Sequence, residues 1–145
     1  MKHKFLHEPQ YFQFYVTDGK QTSVSFNEND FISLQKDGFI SFKSGVVISV
    51  VSDFSIIPID VEIVDEEPSP NLLTRFDKVS KTKIDIPAGS LILSGSPGGP
   101  THGKLGEVPV KSGLYNMLIG YGGQNSQQPD CETKDYYSIY LWPEV

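Results

Sequence analysis

The strongest constraint in this chain is a two-residue alternation that recurs in short runs. Ile57, Ile59, Val61 and Ile63 share one face of a run whose other face carries Pro58, Asp60, Glu62 and Val64. A period of two belongs to a strand, because successive side chains leave an extended backbone on opposite faces. The pattern returns over 11–17, with Phe12, Phe14 and Val16 against Tyr11, Gln13 and Tyr15. It returns again over 135–142, where Tyr136, Ser138, Tyr140 and Trp142 alternate with Tyr137, Ile139 and Leu141. Turn pairs such as Asp18-Gly19, Asp37-Gly38 and Ser44-Gly45 cut the runs short.

These signals predict an all-β fold, an antiparallel sandwich of about eight strands with turns at sandwich-like spacing. Val46-Val47-Ile48 is β-branched without a break, which predicts a strand covered on both faces, in a hairpin with the run 39–43. Thr22 to Phe26 is a further short candidate strand. Pro58 places the start of its run at a sheet edge or at a first strand position. Around 29–36 the periodicity is weak, and Asn29 or Asp30 is positioned to cap a short helix. No linker or repeat divides the 145 residues, so one domain over 1–145 is expected.

Charge narrows the function classes. The net charge is -6. Residues 1–50 balance five lysines against five acids, whereas 51–100 set four bases against eight acids. Direct nucleic-acid binding is disfavoured, because its affinity comes largely from Lys and Arg neutralising phosphates. A basic partner suits such a surface, and simple solubility is the plainer reading. The single cysteine, Cys131, has no internal disulfide partner and no second cysteine for a metal or redox pair, which points to a reducing, cytoplasmic setting. The basic start at Lys2, His3 and Lys4 is followed by no apolar run, so no signal peptide and no membrane segment are expected.

Most candidate chemistry fails on inspection. Gly98-Gly99-Pro100-Thr101-His102-Gly103-Lys104 follows a phosphate-binding loop up to its lysine, but Leu105 stands where a Mg²⁺-binding hydroxyl is needed. Gly106 and Pro109 then interrupt the helix that should aim its N-terminus at phosphate. His3 and His7 have the spacing of a helical metal pair, yet Pro9 limits a helix there, and frayed surface histidines are the expectation. His102 lacks both a nucleophile on a rigid elbow and a buried carboxylate, and a Cys131–His102 dyad would join two loops. No catalytic group, metal or cofactor is assigned. One cluster remains: Asp60 and Glu62 project from one side of their strand, and Asp65, Glu66 and Glu67 continue the run into a Pro-rich loop. A solvated face, a protein-binding patch and a calcium loop are its three readings, though the run lacks the Asn, Asp and Gly pattern of a dedicated calcium loop. The abundant aromatics admit a carbohydrate- or ligand-binding module as the alternative function.

The last third carries a recognisable layout. Ile86-Pro87-Ala88-Gly89-Ser90-Leu91 is followed by Val110-Lys111-Ser112-Gly113-Leu114-Tyr115, then a polar loop, then Asp135-Tyr136-Tyr137-Ser138-Ile139-Tyr140-Leu141-Trp142-Pro143. Over about residues 80–143 this resembles the competence protein J group, inhibitors of a DNA-entry nuclease, and related immunity-type β-sandwiches that neutralise toxins. The resemblance implies an intracellular bacterial protein that covers a basic partner such as a nuclease or toxin. No contact residue carries over from the resemblance; the charge reading makes Asp60, Glu62, Asp65, Glu66 and Glu67 the expected contacts for such a partner.

Overall fold

The alternating runs fold into two five-stranded sheets. The computed structural model describes residues 2–7, 12–20, 27–51, 56–95, 104–124 and 134–144. Among the described residues the strands are β1 Lys2–His7, β2 Gln13–Asp18, β3 Phe39–Phe42, β4 Gly45–Ser49, β5 Ile57–Ile63, β6 Lys78–Ile86, β7 Ser90–Ser94, β8 Lys104–Pro109, β9 Gly113–Gly122 and β10 Tyr136–Pro143. One helix, α1 Glu28–Asp37, and a 3-10 turn, Pro70–Leu73, complete the elements of the described residues. The first sheet runs β1-β5-β10-β9-β6 and the second β3-β4-β2-β7-β8.

The all-β sandwich reading holds at this level, with corrections. Ten strands form among the described residues, against the eight expected. The additions are β1, where a frayed terminus was expected, and β8, whose apolar signal is broken by Gly106 and Pro109. His7 is correspondingly a buried residue of β1, its ring edge on Phe14, and not a surface histidine. The first sheet is mixed, because β5 and β10 run parallel. β5 is also interior, between β1 and β10. Pro58 is tolerated there because pairing with β10 begins one residue later, at Ile59, so no bond of that ladder is lost. The candidate strand 22–26 lies outside the described residues, as do Tyr11, His102 and Cys131.

The inward faces of both sheets make one apolar core. Phe14 and Val16 of β2, Val46 and Ile48 of β4, Ile57, Ile59 and Val61 of β5, and Ile139 and Leu141 of β10 all belong to it. Each such side chain contributes about 1.5–3 kcal/mol on leaving water. Phe12, expected to share the face of Phe14, precedes the strand at φ 59 and is half exposed.

β4 is covered on its second face as well. Leu34 of α1 packs with Tyr15 and Val47 there, and Ile40 and Phe42 flank the group. This explains the unbroken β-branched run. The helix cap is Asn27, not Asn29 or Asp30. Its side chain accepts from the Asp30 backbone N–H at 3.0 Å, and the Asp30 carboxylate accepts from the Asn27 N–H at 2.9 Å. That reciprocal pair satisfies two otherwise orphaned donors. Leu34 is the one buried residue of the ten in α1, so there was no 3.6-residue apolar stripe to read.

Candidate functional site

The outer face of the first sheet gathers the acidic run. Ile59 and Val61 point to the core, so the alternation sends Asp60 and Glu62 outward. The antiparallel register sets Lys4 opposite Asp60 and Lys2 opposite Glu62. The parallel register sets Ser138 opposite Asp60 and Tyr140 opposite Glu62. Lys2 Nζ reaches the Asp60 carboxylate at 3.6 Å. The sheet therefore offsets part of the negative charge.

After β5 the chain crosses this face as a strap over 64–77. The Val64 N–H donates to the Leu141 carbonyl at 2.9 Å, and the Asp77 N–H donates to the Tyr121 carbonyl at 2.8 Å. Asp65, Glu66 and Glu67 are exposed at the start of the strap, and Pro68 is buried. Glu67 pairs with Lys81 of β6 at 2.5 Å. Among the described residues, Glu62, Asp65 and Glu66 make no ion pair within 4.0 Å. The five acids thus lie along one continuous path, with Asp60 and Glu67 each tied to a lysine.

Below the strap, the register places Leu118 on the outward side beside Tyr140 and Lys81, yet Leu118 is fully buried. The strap meets this face through an arginine. Arg75 Nη2 donates to Ser138 Oγ at 3.0 Å and to Tyr140 Oη at 3.3 Å. Its guanidinium carbon stands 4.6 Å from the centre of the Phe76 ring, and Tyr136 Oη donates to the Arg75 carbonyl at 2.6 Å.

Glycines on β9 make this fit possible. A Cβ on Gly120 would lie 2.7 Å from the Phe76 ring, and one on Gly122 would collide with the Tyr136 ring. Gly120→Val should therefore lift Phe76 and loosen the strap while the sandwich stays folded. Hydrogen exchange would show this as faster exchange of the Phe76 and Asp77 amides only; unchanged protection there would contradict it.

The sequence pattern pointed to the acids but not to Arg75. The available signal was local: an arginine followed by an aromatic residue in the loop leaving the acidic strand. The aromatic ladder of β10 is largely engaged. Tyr140 is 7% exposed and Tyr136 is tied to the strap, so neither offers the open ring face that sugar stacking needs. Among the described residues, no group of three His, Cys, Asp or Glu side chains is placed to hold a metal ion. No described helix is long and apolar enough to cross a membrane.

Two buried carboxylates tie the framework that carries this face. Asp18 accepts from the Ala88 N–H at 2.9 Å and the Lys20 N–H at 3.0 Å, fastening the end of β2 to the β6–β7 turn. Asp135 accepts from Tyr137 Oη at 2.7 Å and the Val51 N–H at 3.2 Å.

Two packed five-stranded sheets with a strapped outer face define a β-sandwich. No protein-family model matches the chain, and no curated protein sequence matches it. Solved structures do. ComJ from Bacillus subtilis, described as an inhibitor of the DNA degrading activity of NucA, superposes with a TM-score of 0.66. The match has 12% identity and spans 99% of this chain and 96% of that one. The protein described as crocagin biosynthetic gene J superposes with a TM-score of 0.60 at 14% identity, over 100% of this chain and 99% of that one. At these identities the likeness is one of fold. It agrees with the ComJ-like layout read from residues 80–143 and extends it over nearly the whole chain.

Proposed function

We propose that this protein is a non-catalytic binding domain, a single unit of 145 residues that inhibits a basic protein partner of nuclease type. The observation that carries the reading is the end-to-end fold likeness to ComJ, a nuclease inhibitor. The acids supply a compatible surface. A nuclease must be basic where it meets DNA, and Glu62, Asp65 and Glu66 offer charge that no lysine of the described residues takes up. Asp60 and Glu67 extend the same contact path, with Lys2 and Lys81 giving way when a partner's cations arrive. The partner is a protein rather than DNA, and the setting is the cytoplasm of a bacterium.

The test has two parts. Purified protein is added to the DNA-degrading fractions of its own lysate, and loss of degradation is expected; undiminished degradation at saturating protein would overturn the reading. The variant Glu62→Lys/Asp65→Lys/Glu66→Lys should then slow association with the inhibited fraction by on the order of 10- to 100-fold at low salt, with the gap closing as salt rises. An equal association rate for variant and parent would remove these acids from the contact.

A further inference from the structure

We propose that Arg75, with the hydroxyls of Ser138 and Tyr140, forms a receptor for a carboxylate presented by the protein partner. Arg75 is the only arginine in a chain of eighteen acids, and among the described residues no carboxylate lies within 4.0 Å of it. Its Nη2 group is occupied by two hydroxyl oxygens, both of which accept from it. Among the described residues, nothing takes up the Nη1 and Nε hydrogens or the O–H hydrogens of Ser138 and Tyr140. The result is a cluster with spare N–H and O–H donors around one positive charge, which is what an oxyanion requires.

The cluster is also held in place before any ligand arrives. Ser138 is 2% exposed and Tyr140 7% exposed, and both hydroxyls are held by the Arg75 guanidinium. The Phe76 ring backs the guanidinium, and Tyr136 fixes the Arg75 carbonyl. Arg75 itself is exposed and reachable. Preorganisation of this kind lowers the entropy lost on binding, and arginine among aromatics is the usual make-up of an interface hot spot.

The surroundings select a carboxylate over a phosphate. Asp60 and Glu62 stand in register beside Ser138 and Tyr140. A dianionic phosphate meets twice the repulsion from them that a monoanionic carboxylate does. That the carboxylate belongs to a protein partner rests on the binding-domain reading above; the oxyanion chemistry does not.

Because the chain has one arginine, its Nε–H group gives a single signal in a nitrogen-15 spectrum, assigned without ambiguity. Intact protein would be titrated at neutral pH with sodium acetate, inorganic phosphate, and sodium chloride at matched ionic strength. The expected result is a saturable shift with acetate, a weaker response to phosphate and no saturation with chloride. Tyr140→Phe, which removes one O–H donor, should weaken acetate by about three- to tenfold. Arg75→Lys should abolish the acetate response of the Ser138 and Tyr140 amides while other amides keep their positions. An acetate response no larger than that of chloride overturns the site, and tighter binding of phosphate overturns the choice of carboxylate. Acetate binding without inhibition of DNA degradation would sink the inhibitor reading alone. Inhibition without acetate binding would sink this site alone.

Discussion

Alkaline solution is expected to unfold this protein steeply as the pH rises from 10 towards 12. Tyr15 and Tyr121 are each pushed up to about 12 from the ordinary value of 10.0, mainly by burial. For Tyr15 the Gln13 side-chain bond works against the shift, and for Tyr121 a Ser80 bond lowers while the Asp37 charge raises. Tyr137 is driven further in the same direction, again chiefly by burial. In the unfolded chain these phenols ionise near 10, while the folded chain holds their protons to higher pH. The unfolded state therefore binds fewer protons in this window, and stability falls as pH rises. The contribution is fully present below 10 and is lost as pH passes through the folded values. Holding the Tyr15 and Tyr121 protons to about 12 contributes on the order of a few kcal/mol, against a total stability of about 5–15 kcal/mol. Phenolate absorbance and circular dichroism, followed together, check this. The buried phenols should ionise with the loss of structure, after the exposed ones. Smooth ionisation of all seven tyrosines near pH 10 with the fold retained would refute it.

Replacing Asp135 by alanine should cost about 2–4 kcal/mol. This carboxylate is 1% exposed. It accepts from Tyr137 Oη, which in turn accepts from the Val51 N–H at 3.0 Å and from Gln124 Nε2 at 3.4 Å. Alanine strands the Tyr137 O–H and half of the Val51 bond in a place water does not reach, and an unmet buried donor is penalised more than a bond made in water is rewarded. Asp135→Asn keeps an acceptor and should lose markedly less. Urea unfolding of the two variants separates these effects. A loss below about 1 kcal/mol for the alanine variant would mean the cluster is wetter than its burial indicates.

Both experiments probe the framework that presents the outer face of the first sheet, and much of that framework was readable locally. The run from Ile57 to Ile63 states its own orientation: apolar residues at every second place must turn to the core, so Asp60 and Glu62 must turn out. The same holds for β10, where Tyr137, Ile139 and Leu141 face inward and leave Ser138 and Tyr140 outside. The β-branched run of β4 implied cover on both faces, and Leu34 of α1 provides it on one of them. The ComJ-like layout was legible for the same reason, as a succession of strands and turns.

Other features were not written in any one segment. Alternation is a property of a single strand, so it is silent on which strand lies beside it or in which direction. The parallel pairing of β5 with β10 is therefore not legible in either strand, nor is the placing of Ser138 and Tyr140 next to Asp60 and Glu62. β1 is not legible locally because its outward residues are Lys2 and Lys4, which read as a charged terminus until β5 supplies acids opposite them. Arg75 meets its partners across 63 and 65 residues, and no local signal spans that distance. The chain by itself determined that this protein is a β-sandwich with an acidic outward run, because side-chain period and charge are local. Only the tertiary structure decided that two of those acids are partly neutralised by lysines and that the lone arginine sits on Ser138 and Tyr140 of the neighbouring strand, because strand order and the path of the strap arise from contacts between segments far apart in sequence.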